Sequence, residues 1–162
     1  FDAKLKFREI LMKTKPSVLF ICQHNSGRSQ IAAAYLQQMA GGSLHVESAG
    51  MEPAERVNPL VVAVMQEAGI DISSNRPQSV FDLFKESKVF DHVITVCHDG
   101  EERCPIFPGI TTRWHAPFDD PAKAQGSDEE RKDQIRRIRD QIKAWLSDPP
   151  ADSFSYKDII GS

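Results

Sequence analysis

The chain has 162 residues, 40% apolar and 27% charged, with a formal net charge of −3. This length and composition fit one folded domain with a single sizeable core and exclude a disordered chain. The charge balance points to no nucleic-acid or membrane partner, no apolar run nears the roughly 20 residues of a membrane span, and lysines and a glutamate break any signal-peptide pattern at the start.

Residues 1–15 open with FDAKLKFREILMKT and are expected to form an extra helix or arm. The first residue is Phe1 rather than methionine, so the chain is read as trimmed or as a piece of something longer. PSVLFIC is a continuous apolar run ending at Cys22, the pattern of a buried parallel strand. HNSGRS is a polar turn, and SQIAAAYLQQMA a helix stopped by Gly41 and Gly42. LHVESAG is a second strand. NPLVVAVMQEAG is a helix capped by Asn58, with Pro59 in its first turn and Gly69 beyond its end. SVFDLFKES reads as a short helix, FDHVITVC as a third buried strand ending at Cys97, and TTRWHA as a fourth. SDEERKDQIRRIRDQIKAWL is the clearest helix. Ser127 and Glu130 form a capping box there, and Ile135, Ile138, Ile142, Trp145 and Leu146 form one apolar stripe. The turn-rich tail DPPADSFSYKDIIGS carries no firm assignment. Three pieces follow: an arm or extra helix over 1–15, the main folded domain over 16–148 and a tail over 149–162.

Strands alternating with helices predict an α/β fold, an open parallel sheet with helices on both faces. Ligands bind beyond the carboxyl ends of such strands, and both Cys22 and Cys97 fall at such ends. Three cysteines is an odd count. It argues against a secreted disulfide scaffold and for a reducing, cytoplasmic setting.

CQHNSGRS places a cysteine, five residues, an arginine and a serine between a strand and a helix. A loop of that length can wrap the main-chain N–H groups of Gln23, His24, Asn25, Ser26, Gly27 and Arg28 around a tetrahedral oxyanion. Gly27 lets the backbone bend, and the Arg28 fork can grip the same anion. These donors favour a thiolate at Cys22. Ser29 is expected to hydrogen-bond the sulfur and Asn25 to brace the loop. Read alone, Cys22 is equally a buried strand-end thiol and Arg28 a surface charge. Attack on an oxyanion also needs an acid for the departing oxygen. PFDDPA offers Asp119 and Asp120, although Asp-Pro pairs are common in plain turns.

Six segments occur in order: VLFICQHNSGRSQ, ESAGMEP, VNPLVVAVMQEAGIDIS, VITVC with CPIFPG, FDDPA and RRIRDQI. Together they resemble the thioredoxin-coupled arsenate reductases, which share the fold of the low-molecular-weight protein tyrosine phosphatases. The resemblance runs from about Pro16 to about Leu146. It implies a four-stranded parallel sheet in a three-layer α/β/α arrangement. It implies Cys22 as nucleophile, Arg28 as clamp, Ser29 and Asn25 as supports, Asp120 as general acid, and Cys97 and Cys104 as shuttle cysteines. The implied partners are arsenate, with phosphate or sulfate as analogues, and thioredoxin as electron donor. No tightly bound cofactor or metal is expected, and the protein is expected to be a monomer. Two positions depart from relatives. Ala33 stands where many carry a glutamate that helps bind potassium, so potassium is not expected. RPQS stands where Ser-Lys is common, a change read as minor for the chemistry.

If residues 97–104 were helical, the two cysteine Cα atoms would lie about 10 Å apart. A disulfide needs less than about 7 Å, so that segment must rearrange on oxidation. Three other readings remain. One is a phosphatase using the same loop through a phosphocysteine. Another is zinc on Cys97, His98, Cys104 and His115, whose spacing fits no usual signature. The third makes Cys97 a buried strand-end residue and Cys104 an incidental thiol. His24 is expected to face solvent, and His45, His92, Trp114 and Trp145 to be structural.

Overall fold

The computed structural model describes residue 3, residues 15–98 and residues 111–161. The expected arm over 1–15 therefore lies almost wholly outside the described residues, as does Cys104. Four strands form one sheet: β1 Ser17–Cys22, β2 His45–Gly50, β3 His92–Thr95 and β4 Thr112–His115. Their order is β2-β1-β3-β4 and every pairing is parallel. The helices are α1 Arg28–Ala40, α2 Pro59–Glu67, α3 Val80–Lys85, α4 Asp128–Ser147 and α5 Tyr156–Ile160.

From Val18 to Cys22, β1 is apolar without interruption because both its faces are covered. Val18, Phe20 and Cys22 join a core cluster with α1, α2 and α4, while Leu19 and Ile21 join a second cluster with Val80 and Leu83 of α3. That arrangement is the three-layer α/β/α architecture expected for helices on both faces of a parallel sheet. The helix boundaries follow local chemistry. Gly41 ends α1 in the left-handed conformation, Asn58 accepts the Leu60 N–H at the start of α2, and Ser127 and Glu130 make the reciprocal capping box of α4.

The expected third strand is shorter than its apolar run. β3 ends at Thr95, and Val96 and Cys97 continue past it as a loop, although the Val96 N–H still reaches the Ile21 carbonyl at 2.9 Å. The tail, left unassigned from sequence, carries α5 and buries Phe154 against Trp114, Trp145 and His92. Trp114 and Trp145 are half-buried packing residues, as expected. The chain runs from β1 outward to β2, then returns to β3 on the other side of β1. The strand order reverses between β1 and β3, and crevices in open parallel sheets form at such points. Cys22 and Cys97 flank it.

Candidate active site

The β1–α1 loop is shaped by where its carbonyls go. The Cys22 carbonyl accepts from Met51 N–H at 3.1 Å, Gln23 from Glu52 at 2.8 Å, His24 from Ala54 at 3.0 Å and Ser26 from Asn58 at 2.9 Å. The Asn25 carbonyl accepts from the Gln30 side-chain amide at 3.1 Å. Five consecutive carbonyls thus point outward. In a trans peptide the N–H lies opposite the carbonyl, so the N–H groups of Gln23 through Gly27 turn inward. Inward N–H groups at a helix N-terminus make an oxyanion cradle.

One of them, Asn25 N–H, already points at the Cys22 sulfur at 3.2 Å. Asn25 is fully buried and holds a left-handed φ of 51°. Its side chain is pinned by an unambiguous donor: the Gln78 main-chain N–H reaches Oδ1 at 2.9 Å. Nδ2 must then face Ser29 Oγ at 2.7 Å and Ser48 Oγ at 2.9 Å. Ser29 Oγ accepts from Asn25, which leaves its hydroxyl hydrogen for Cys22 Sγ, 2.9 Å away. Ser29 thus lies within hydrogen-bond distance of the sulfur, and Asn25 links the loop to Ser48 and Gln78. The RPQS segment, read as marginal from sequence, supplies the donor that orients the whole chain.

Two glycines are fixed by close approach. A Cβ on Gly27 would lie 2.9 Å from the Pro121 ring. Contact with the segment after Asp120 therefore leaves no room for a side chain at this position. A Cβ on Gly50 would lie 2.8 Å from Asn25 N and 2.9 Å from the His24 carbonyl carbon. Sequence reading missed Gly50, Ser48, Gln78 and Gln30. All lie outside the cysteine–arginine motif or beyond its last residue, and only the fold brings them under the loop.

Arg28 is buried, and its Nη1 donates to the Phe118 carbonyl at 3.2 Å. Its Nη2 stands 3.7 Å from Asp120 Oδ2. The other oxygen of Asp120 accepts the Ala122 N–H, capping the short 3-10 turn Pro121–Lys123. Asp119 turns away: its side chain is 85% exposed and lies 3.9 Å from His98 Nε2. The two aspartates, equivalent by spacing, are therefore separated by geometry. The site opens into a cleft of about 810 Å³ lined by Gln23, His24, Arg28, Cys97, Asp120 and Arg137, among others. His24 is exposed there, with Nδ1 2.9 Å from the Glu52 carbonyl. Cys22 and Cys97 are both buried thiols in the same core cluster. Among the described residues no group of three or more histidine, cysteine or acidic side chains is arranged to hold a metal ion.

Residues 17–149 match the family described as low molecular weight phosphotyrosine protein phosphatase. The chain belongs to this family. Within it, the chain is similar to the arsenate reductase of Shouchella clausii (strain KSM-K16). Identity is 41% over 134 residues, covering 82% of this chain and 94% of the relative. Among solved structures it is similar to a thioredoxin-dependent arsenate reductase of Corynebacterium glutamicum, with 35% identity and a TM-score of 0.56. That match covers 85% of this chain and 65% of the other. It is also similar to an arsenate reductase in a phosphate-binding state, with 29% identity and a TM-score of 0.60, covering 79% of this chain and 91% of the other. In this chain the Cys22–Arg28 loop sits at the carboxyl end of β1 in the four-stranded parallel sheet. The buried Cys97 adds a second thiol to the same end of the sheet.

Proposed function

We propose that this protein reduces arsenate to arsenite, with Cys22 as nucleophile and a three-cysteine relay regenerated by thioredoxin. The reading is carried by one observation: a sulfur that receives the Asn25 N–H and lies within hydrogen-bond distance of the Ser29 hydroxyl, with a second buried cysteine just past the end of the adjacent strand. Support comes from relatives named as arsenate reductases, one of them thioredoxin-dependent.

In the first step the Cys22 thiolate attacks arsenic inside the loop. The inward N–H groups and Arg28 hold the arsenate oxygens and neutralise the charge that develops on them. Asp120 donates a proton to the departing oxygen, which leaves as water, and a thiol–arsenate adduct remains. In the second step the Cys97 thiolate attacks the Cys22 sulfur. The sulfur–arsenic bond breaks with its electron pair going to arsenic, which falls from the pentavalent to the trivalent state and leaves as arsenite. A Cys22–Cys97 disulfide is the oxidised product. In the third step Cys104 attacks Cys97 and releases Cys22 as a thiolate, leaving a Cys97–Cys104 disulfide for thioredoxin to reduce. Cys104 and the rearrangement of the segment that carries it lie outside the described residues. Arsenate, with phosphate as its analogue, and thioredoxin are the implied partners. No resident cofactor is needed, because every electron moves through sulfur.

The test is arsenate-dependent NADPH consumption with thioredoxin and its reductase, on wild type and on Cys22→Ser, Cys97→Ser and Cys104→Ser. Each substitution is expected to abolish turnover, while Cys97→Ser retains hydrolysis of an aryl phosphate, which needs only the loop and the acid. Sustained arsenate turnover by Cys97→Ser contradicts the relay, whereas aryl-phosphate hydrolysis without arsenate reduction in the wild type leaves a phosphatase acting through a phosphocysteine.

A further inference from the structure

Of the five loop carbonyls turned outward, four are held by main-chain N–H groups of the strip from Met51 to Asn58. The Asn25 carbonyl is held differently, by the Gln30 side chain. That carbonyl belongs to the Asn25–Ser26 peptide. Its orientation therefore decides whether the Ser26 N–H faces the anion.

Gln30 is suited to the task. It is 3% exposed and sits in the first turn of α1, directly after Arg28 and Ser29. A carbonyl can only accept, so the Gln30 atom facing Asn25 is its amide nitrogen. Its other end, Oε1, accepts from Asn75 Nδ2 at 3.1 Å. Asn75 lies on the exposed segment before Gln78, so the clamp reaches from the outer loop to the anion cradle. Gln78 grips Asn25 from its side chain, while Gln30 grips it from its carbonyl. Asn25 adopts a left-handed conformation that a non-glycine residue holds only when its surroundings fix it.

We infer that Gln30, oriented by Asn75, is a positioning residue that keeps the Asn25–Ser26 peptide turned with its N–H toward the oxyanion, and so sets anion affinity and the reactivity of Cys22. The inference rests on the loop being an oxyanion site and is independent of the cysteine relay. Losing the Gln30 amide leaves a buried carbonyl unsatisfied, and the peptide can then relieve it by rotating. That rotation withdraws a donor from the cradle.

The experiment measures arsenate and phosphate binding by calorimetry, and alkylation of Cys22 by iodoacetamide followed by peptide mass spectrometry. It compares wild type, Gln30→Met, Asn75→Ala and the double variant. Methionine fills the space of glutamine without its donor, so packing is retained while the hydrogen bond is lost. Gln30→Met is expected to weaken arsenate binding about tenfold and to slow Cys22 alkylation, with a melting temperature close to wild type. Asn75→Ala, a change at an exposed side chain, is expected to weaken binding about threefold and to have no effect once Gln30 is methionine, because it acts only through Gln30. Wild-type affinity in Gln30→Met overturns the inference, and so does an Asn75→Ala effect of equal size in both backgrounds. Should Gln30→Met fail to fold, Asn75→Ala decides alone, with unchanged anion affinity overturning the inference. A wild type that binds neither anion brings down the oxyanion-loop reading itself. A wild type that binds, with variants unchanged, removes only the role of Gln30.

Discussion

Gly27, inside the loop, and Gly50, packed against it, predict different defects. A methyl group at Gly27 meets the Pro121 ring, a side chain on the segment that carries Asp120. Gly27→Ala should displace the acid and spare the cradle. We expect kcat for arsenate reduction to fall about tenfold while phosphate affinity stays near wild type, since misplacing one catalytic group costs rate. A methyl group at Gly50 meets the backbone of His24 and Asn25. Gly50→Ala should therefore disrupt anion binding itself, read as loss of phosphate protection against alkylation of Cys22. Equal phosphate affinity in both variants would contradict this division. At this scale the sequence was legible where the chemistry is contiguous. Cys22, Arg28 and Ser29 lie within eight residues, and their residue types already imply an anion. The supports of Asn25 could not be read that way. Ser48, Gln78 and Gln30 are ordinary polar residues, and nothing in their local pattern says that they converge on one buried amide.

At the scale of elements, α4 was the most legible and makes the sharpest stability prediction. Its apolar stripe of Ile135, Ile138, Ile142 and Leu146 is buried against α1 and α2, as its helical spacing requires. Ile142→Ala should destabilise the fold by about 2–5 kcal/mol in urea unfolding, the usual range for emptying a tight core site. Ser127→Ala should cost about 1 kcal/mol through loss of the capping box. A smaller effect for Ile142→Ala than for Ser127→Ala would mean that the helix is held by its ends rather than its face. β3 was less legible. Apolar residues run on to Cys97, but the strand ends at Thr95 while burial in the core continues through Val96 and Cys97. Hydrophobicity records the burial and not where the strand geometry ends.

Across the whole molecule, the tail packs against the sheet through aromatic contacts that no local pattern in the sequence announces. Phe154 is buried, with ring centroids 6.1 Å from both Trp114 and Trp145 and 5.6 Å from His92. Phe154→Ala should cost about 3–5 kcal/mol, which unfolding midpoints would reveal. A single phenylalanine among Asp, Ser and Pro residues has no periodicity, so its burial could not be read in advance. The same cluster should make stability pH-dependent. The Trp114 indole N–H lies 3.1 Å from His92 Nδ1, which accepts it only when neutral. Burial pushes the His92 pKa below its ordinary value, outweighing the opposing pull of Asp91. The neutral form is therefore favoured on folding. This contribution is fully present above the ordinary histidine range, about 6.5, and is lost as pH falls through the lower folded value. Unfolding free energies at pH 7.5 and 5 should show a drop for wild type that shrinks in His92→Gln, whose side-chain oxygen still accepts from Trp114. An identical drop in both proteins would assign the pH response elsewhere.

The transfer of oxidation from Cys22 to Cys97 is tested most directly by stopping the relay between them. Cys104→Ser protein, treated with one equivalent of arsenate, blocked with iodoacetamide, digested and mapped by mass spectrometry, should yield a peptide pair joined through Cys22 and Cys97, with arsenite released in equal amount. Recovery of both cysteines alkylated, with arsenate unreduced, would show that the two sulfurs do not communicate.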